Sequence, residues 1–264
     1  MIGTFRHCGR SEAIQKTRGL WIASSLALLA MTNGEGALAA CENIAYQGAL
    51  YSVCSASATD KGLRTFLHDD KGEHLGSFSA LERHVAARGE RLVFAMNGGM
   101  YHADRRPVGL YVENGRAVSS LNRLGGPGNF HMRPNGVFWI DAKGAAHVTE
   151  TSRFAAMKAK PLHATQSGPM LVIGGAIHPK FRADSDSLKI RNGVGLCDKG
   201  QVRFAISDAP VTFSAFALFF RDRLGCADAL YLDGSISALH APEINRSDLW
   251  RPEMGPMIAL VAKR

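Results

Sequence analysis

The chain has 264 residues, long enough to bury one sizeable core, with 46% hydrophobic and 20% charged residues. Its 31 lysines and arginines against 23 aspartates and glutamates give a net charge of +8. No basic run with interleaved aromatics is present, so the charge reads as a solvated face or an attraction for an anionic substrate or envelope polymer, and nucleic-acid binding is not expected.

The N-terminal segment reads as an export signal. Lys16 and Arg18 precede an apolar run at residues 20–31, and Ala37-Leu38-Ala39 supplies small residues where a signal peptidase reads them. The run is shorter than the roughly 20 apolar residues that span a bilayer, so no transmembrane span is expected after cleavage. The domain division is therefore a signal peptide at 1–40 and one mature domain at 41–264. The signal carries four basic and two acidic residues, which leaves 27 against 21 in the mature part. Leu38-Ala39-Ala40-Cys41 also fits a lipobox, the alternative being a lipoprotein anchored through Cys41. Polar residues separate the apolar run from that site, and Cys54 follows Cys41 across a strand-like stretch. Both features favour a Cys41–Cys54 disulfide in an oxidising compartment, periplasmic or extracellular. Cys197 and Cys226 lie in apolar settings and read as buried thiols.

Along the mature chain, Ser77 to Arg88 predicts a Ser-capped helix, with Leu81 and Val85 on its buried face. Short apolar runs predict strands at 109–112, 137–140, 169–173, 194–197, 202–206, 229–232 and 257–262. Hairpin corners are expected at Asn114-Gly115, Lys143-Gly144 and Lys199-Gly200. Thr212 to Leu224 places Phe213, Phe216, Ala217, Phe220 and Leu224 near one stripe, a helix packed on a sheet. The expected fold is α+β: a single domain with a mixed, mainly antiparallel sheet and a few packed helices.

Four polar clusters follow or interrupt these strands. Asn97-Gly98-Gly99, with His102 shortly after, brings an amide and free backbone N–H groups to a strand end, suited to an anion or a sugar hydroxyl, or simply to a tight turn. Gln166-Ser167-Gly168 precedes a buried strand. Arg191-Asn192 puts a guanidinium, whose planar fork matches phosphate, beside a strand-like segment. Asp233-Gly234-Ser235 ends a strand with a carboxylate that is costly unless satisfied, so it reads as a site residue or as a turn. Asp208 before Pro210 reads as a turn first and a second catalyst only after that. The histidine spacings match no metal set and no cofactor motif is present; a divalent cation is compatible with the chemistry, but no ligand set presents itself.

Taken in order, NGGMY, QSGPMLV, IRNGVG and LYLDGSIS, closed by GPMIALV at 255–261, resemble the phosphodiester glycosidase family over roughly residues 90–262. Its animal members are lysosomal uncovering enzymes, which remove N-acetylglucosamine from a mannose 6-phosphate diester. The resemblance implies hydrolysis of a glycosidic bond whose leaving group is a phosphodiester, on a carbohydrate phosphodiester or envelope glycan. By the same resemblance Asp233 is the carboxylate at the reacting centre and Arg191 neutralises phosphate. Asn97, Gln166 and the Gly-rich loops hold oxygens, with Asp208 or His102 as a second polar catalyst. The chain departs from the family at Met100-Tyr101, at Asn192-Gly193 and at Ser235-Ile236-Ser237, where glycines are usual; the last bears on sugar specificity. A non-catalytic envelope protein that binds a sugar or an anionic polymer in the same cleft is the alternative, and an ordinary glycosidase with two opposed carboxylates is a third reading.

Overall fold

The computed structural model describes residues 40–249 and 253–264; the expected signal segment falls outside the described residues. In chain order the elements begin β1 (Ala40–Tyr46), β2 (Ala49–Ser57), β3 (Leu63–Phe66), α1 (Phe78–Ala86), β4 (Glu90–Asn97), β5 (Tyr111–Glu113) and β6 (Arg116–Ser119). They continue with β7 (Gly136–Ile140), β8 (Ala146–Glu150), α2 (Thr151–Met157), β9 (His163–Ser167), β10 (Met170–Ile173), β11 (Ala176–Ile177) and β12 (Asn192–Cys197). The last are β13 (Gln201–Ser207), α3 (Phe213–Leu218), β14 (Cys226–Asp233), β15 (Leu239–Ala241), β16 (Arg246–Ser247) and β17 (Met257–Lys263). The strands form not one sheet but three, ordered β1-β2-β13-β12-β14-β10-β11, β16-β15-β4-β17-β3 and β6-β5-β9-β7-β8. Among the described residues every strand pairing is antiparallel.

Alternation along the strands explains why three sheets close on one core. Inward residues of each sheet meet around Phe204 on β13, whose ring lies 5.2 Å from Phe94 on β4 and 5.8 Å from Phe138 on β7. The outer face of the seven-stranded sheet is covered by α3 and the π-helical turn that continues it, Phe219–Arg223. There Phe216, Phe219 and Phe220 are fully buried, and Tyr51 stacks on Phe219 at 3.8 Å. The aromatic stripe is therefore core, as its spacing predicts. α1 begins where expected: the Ser77 hydroxyl accepts from the Ala80 N–H, and Phe78, Leu81 and Val85 are buried.

The expected hairpin corners carry the left-handed backbone they require, with φ of 50° and 77° at Asn114-Gly115 and 59° and 66° at Lys199-Gly200. Cys41 is bonded to Cys54, across the β1–β2 pair. The expectation of buried thiols at Cys197 and Cys226 is corrected: their strands pair so that the two face each other, and they form a second disulfide. Loop-closure entropy for its separation of 29 residues gives about 3–4 kcal/mol. Replacing both Cys197 and Cys226 with Ala should lower the urea-unfolding free energy by that order. No helix among the described residues is long and apolar enough to cross a membrane.

Candidate active site

Strands β4 and β14 belong to different sheets, yet their last residues, Asn97 and Asp233, are joined through one side chain. Asn192, at the start of β12, donates from Nδ2 to Asn97 Oδ1 at 2.7 Å and to the Asn97 carbonyl at 3.2 Å. Its Oδ1 accepts the Asp233 N–H at 2.9 Å. Asn97 Oδ1 also accepts from the Ala238 N–H at 2.9 Å. Three of the four predicted clusters are thus tied together, and Asn97 and Asn192, both fully buried, are the knot. Asn97 Nδ2 has no partner among the described residues.

Asp233 is only 7% exposed. Burial pushes its carboxyl above the usual range, while backbone N–H groups of Ser235, Gly234 and Ile236 pull it back. The Ser235 contact is 2.8 Å. A carboxylate held by the backbone of its own turn keeps a fixed direction, and here it faces a cavity of about 570 Å³. Tyr101, His102, Asn129, His131, Lys189 and Tyr231 also line it, with Gly234 and Ser235 beside Asp233. Asp233 is the one carboxylate and exposed Lys189 the one lysine or arginine on this wall, among the described residues. Tyr101 donates to the Glu253 carbonyl at 3.1 Å, and its phenol is pushed up to about 12, first by burial and then by the Asp233 charge.

The remaining predicted residues stand behind the pocket. Gln166 Oε1 accepts from the Leu110 and Asn122 N–H groups at 3.0 and 2.9 Å, and its Nε2 donates to Asn122 O at 2.7 Å. It therefore secures the loop that carries Asn129 and His131. The Ser167 hydroxyl donates to the Leu232 carbonyl at 2.8 Å, tying β9 to β14, and Gly168 packs on Asn135 and Phe130 of the same loop. Gly98 lies against Met257 and Ile258 of β17. Gly99 has φ of 141° and leaves no room for a Cβ beside Thr165 Oγ1.

Arg191 is fully buried and outside the pocket lining. Its Nε and Nη2 donate to the Val211 and Ser187 carbonyls, each at 2.8 Å, and its guanidinium lies 3.6 Å from the centroid of the Phe213 ring. Neither an open-cleft encounter with Asp233 nor a salt bridge to it is formed. Asp208, exposed at the end of β13, pairs with Arg246 and accepts from Ser52, and it too is outside the lining. Sequence reasoning did not single out Lys189, Asn129, His131 or Tyr231 as site residues. Lys189 carried the readable signal, a second cation two residues before Arg191 in the same extended run. No group of three His, Cys, Asp or Glu among the described residues is placed to hold a metal ion. A second cavity of about 700 Å³, lined by Arg64, His68, Glu113 and Arg116, contains none of the predicted residues.

A family model described as phosphodiester glycosidase matches residues 90–252. Uncharacterized protein YigE of Escherichia coli (strain K12) is 38% identical over 169 residues, which are 64% of this chain and 65% of that protein, just under two thirds of its length. Among solved structures, the catalytic domain of zebrafish N-acetylglucosamine-1-phosphodiester alpha-N-acetylglucosaminidase, auto-inhibited by its pro-peptide, superposes with a TM-score of 0.55 at 14% identity, covering 86% of this chain and 82% of that one. A Burkholderia pseudomallei protein described as exported gives 0.51 at 13% identity, over 80% and 74%. At such identities these two likenesses establish the fold.

Proposed function

The chain belongs to the phosphodiester glycosidase family, and on that premise we propose that it hydrolyses the bond between a sugar's anomeric carbon and a phosphodiester, outside the cytoplasm. The observation that carries this reading is the pocket wall itself: one held carboxylate and one lysine, with no second carboxylate among the described lining residues. An ordinary glycosidase needs one carboxyl group to protonate its leaving group and another to assist at the sugar. A phosphate monoester leaves as a stable anion and needs no such acid. A single carboxylate then suffices at the reacting centre.

In this mechanism Asp233 takes a proton from the attacking water. The water oxygen bonds to the anomeric carbon, and the bond from that carbon to the phosphate oxygen breaks. The phosphomonoester departs with the electron pair. Charge building on its oxygens is met by Lys189 in place of Arg191, because Lys189 is the cation that reaches the cavity. Asn97 and Asn192 fix where Asp233 stands. The disulfides and the N-terminal signal support an exported protein, with an envelope carbohydrate phosphodiester as substrate.

Replacing Lys189 with Met should lower kcat/KM for a sugar-1-phosphodiester by about tenfold or more, the worth of one hydrogen bond to a charged group. The salt sensitivity of kcat/KM should weaken in parallel, and the melting temperature should not move, since the side chain is exposed. Steady-state rates at two ionic strengths check this. An unchanged kcat/KM would remove Lys189 from the role.

A further inference from the structure

The cavity of about 700 Å³ opens where two sheets part. One wall is β3, the edge strand of its sheet; another is the β5–β6 hairpin, in which β6 is the edge of a second sheet; the C-terminal end of α1 closes a third side. It shares no lining residue with the cavity that Asp233 faces. Two of its arginines are already engaged. Arg64 holds Glu90 with both arms, at 2.8 and 3.1 Å, and Arg88 pairs with Asp70 while donating to the His84 carbonyl at 2.7 Å. Glu113 and Arg116 differ. They stand directly opposite each other in the β5–β6 pairing, so their side chains leave the same face with Cβ atoms about 4.5–5.5 Å apart. Among the described residues they nevertheless form no ion pair with each other, and Arg116 is exposed.

The open groups set the chemistry of a ligand. The Glu113 carboxylate is fixed by the Leu67 N–H, which donates to Oε1 at 3.1 Å, while Oε2 makes no side-chain hydrogen bond among the described residues. His68 Nδ1 stands 3.7 Å from that oxygen. Burial, and then the Arg116 charge, hold the His68 ring below the usual histidine range, so at neutral pH it is uncharged and both donates and accepts. The wall thus offers a fixed acceptor, a donor fork and a group that does either. Apolar surface lies beside them at Phe66 and at Val118, which is 41% exposed. Three arginines share the lining with four carboxylates, Asp69, Asp70, Glu90 and Glu113, so neither sign prevails and no field gathers a polyanion or a cation. A ligand that alternates hydroxyl groups with C–H faces suits both kinds of surface. Sites of about 300–1,000 Å³ hold drug-sized molecules, on the order of two or three sugar rings.

We propose that this cavity is a second binding site, for an uncharged oligosaccharide: Glu113 and His68 accept from its hydroxyl groups, Arg116 donates to them, and Phe66 and Val118 pack on its C–H faces. The site is separate from the one that holds Asp233 and does not depend on the hydrolase reading.

Saturation-transfer NMR with three neutral probes, maltotriose, cellotriose and tri-N-acetylchitotriose, tests this on the wild-type protein. At least one should bind, and its Kd should rise about tenfold or more in Arg116→Ala, the worth of a hydrogen bond to a charged group. Glu113→Gln, which keeps the acceptor for the Leu67 N–H, should weaken binding in the same direction, as should Val118→Asp. Binding should be the same in Asp233→Asn as in wild type. Arg116→Ala should melt at the wild-type temperature, since the side chain is exposed, and should keep any hydrolysis of the methyl diester of N-acetylglucosamine 1-phosphate within twofold. No transfer to any of the three probes would overturn the proposal, as would binding that Arg116→Ala and Val118→Asp leave unchanged. Binding lost in Asp233→Asn would also overturn it, because the sugar would then lie in the other cavity. Each of these results leaves the hydrolase reading standing.

Discussion

Asp233→Asn protein should fold like wild type and hydrolyse sugar-1-phosphodiesters at least about 10²–10⁴-fold more slowly, the range for loss of a positioned base. Asn fits the same turn, and its Oδ1 can still accept the Ser235 N–H now held at 2.8 Å. The sign of the stability change follows from burial. Desolvation raises the folded carboxyl above its unfolded value, so the ionised form is a net stability cost at neutral pH, relieved as pH falls through the raised value. Removing the charge should therefore leave the melting temperature unchanged or higher at pH 7. Wild-type activity should fall as acid protonates Asp233, with a midpoint above the ordinary aspartate range. Normal turnover by a folded Asp233→Asn protein would remove this residue from the mechanism.

The second large effect is expected at Asn192. Truncation to Ala deletes the acceptor for the buried Asp233 N–H and the donor to Asn97 Oδ1 and O. Buried groups left unpaired cost about 1–3 kcal/mol each, so destabilisation of about 2–4 kcal/mol is expected in urea melts. Activity should drop as well, because the ends of β4 and β14 lose their common tether. A variant that kept wild-type stability would show that Asn97 and Asp233 hold their places without it.

Local chemistry was legible in the sequence. The Ser77 cap, the Asn114-Gly115 and Lys199-Gly200 corners and the Phe216/Phe220 stripe each follow from backbone or burial preferences confined to a few residues. The partition of strands into three sheets was not, because pairing depends on contacts far apart in sequence: β4 pairs with β17, and β2 with β13. Helix α2 lacks a long apolar period. It starts instead where the Glu150 side chain caps it by accepting from the Ser152 and Arg153 N–H groups.

Around the cavity that Asp233 faces, the motifs mark the strand ends that border it but not which side chains turn into it. Asp233, Gly234, Ser235 and His102 reach the pocket. Gln166, Ser167, Asn192 and Arg191 are as polar and as strongly patterned, yet their hydrogen bonds run mainly to backbone, so their work is to fix loops and strand ends. The Cys197–Cys226 bond was hidden for the same reason as the sheets: it depends on the register of β12 against β14. Tyr231 was visible within LYLDGSIS and Lys189 as a cation two residues before Arg191, but neither sits at a spacing that marks a ligand contact.

The most direct test of the central claim is hydrolysis of the methyl diester of N-acetylglucosamine 1-phosphate in ¹⁸O-water, with mass analysis of both products. Cleavage at the anomeric carbon places the label on the sugar and leaves methyl phosphate unlabelled, as the account requires. Label on the phosphate would mean attack at phosphorus, and the assignment of Asp233 to a glycosidic centre would be wrong.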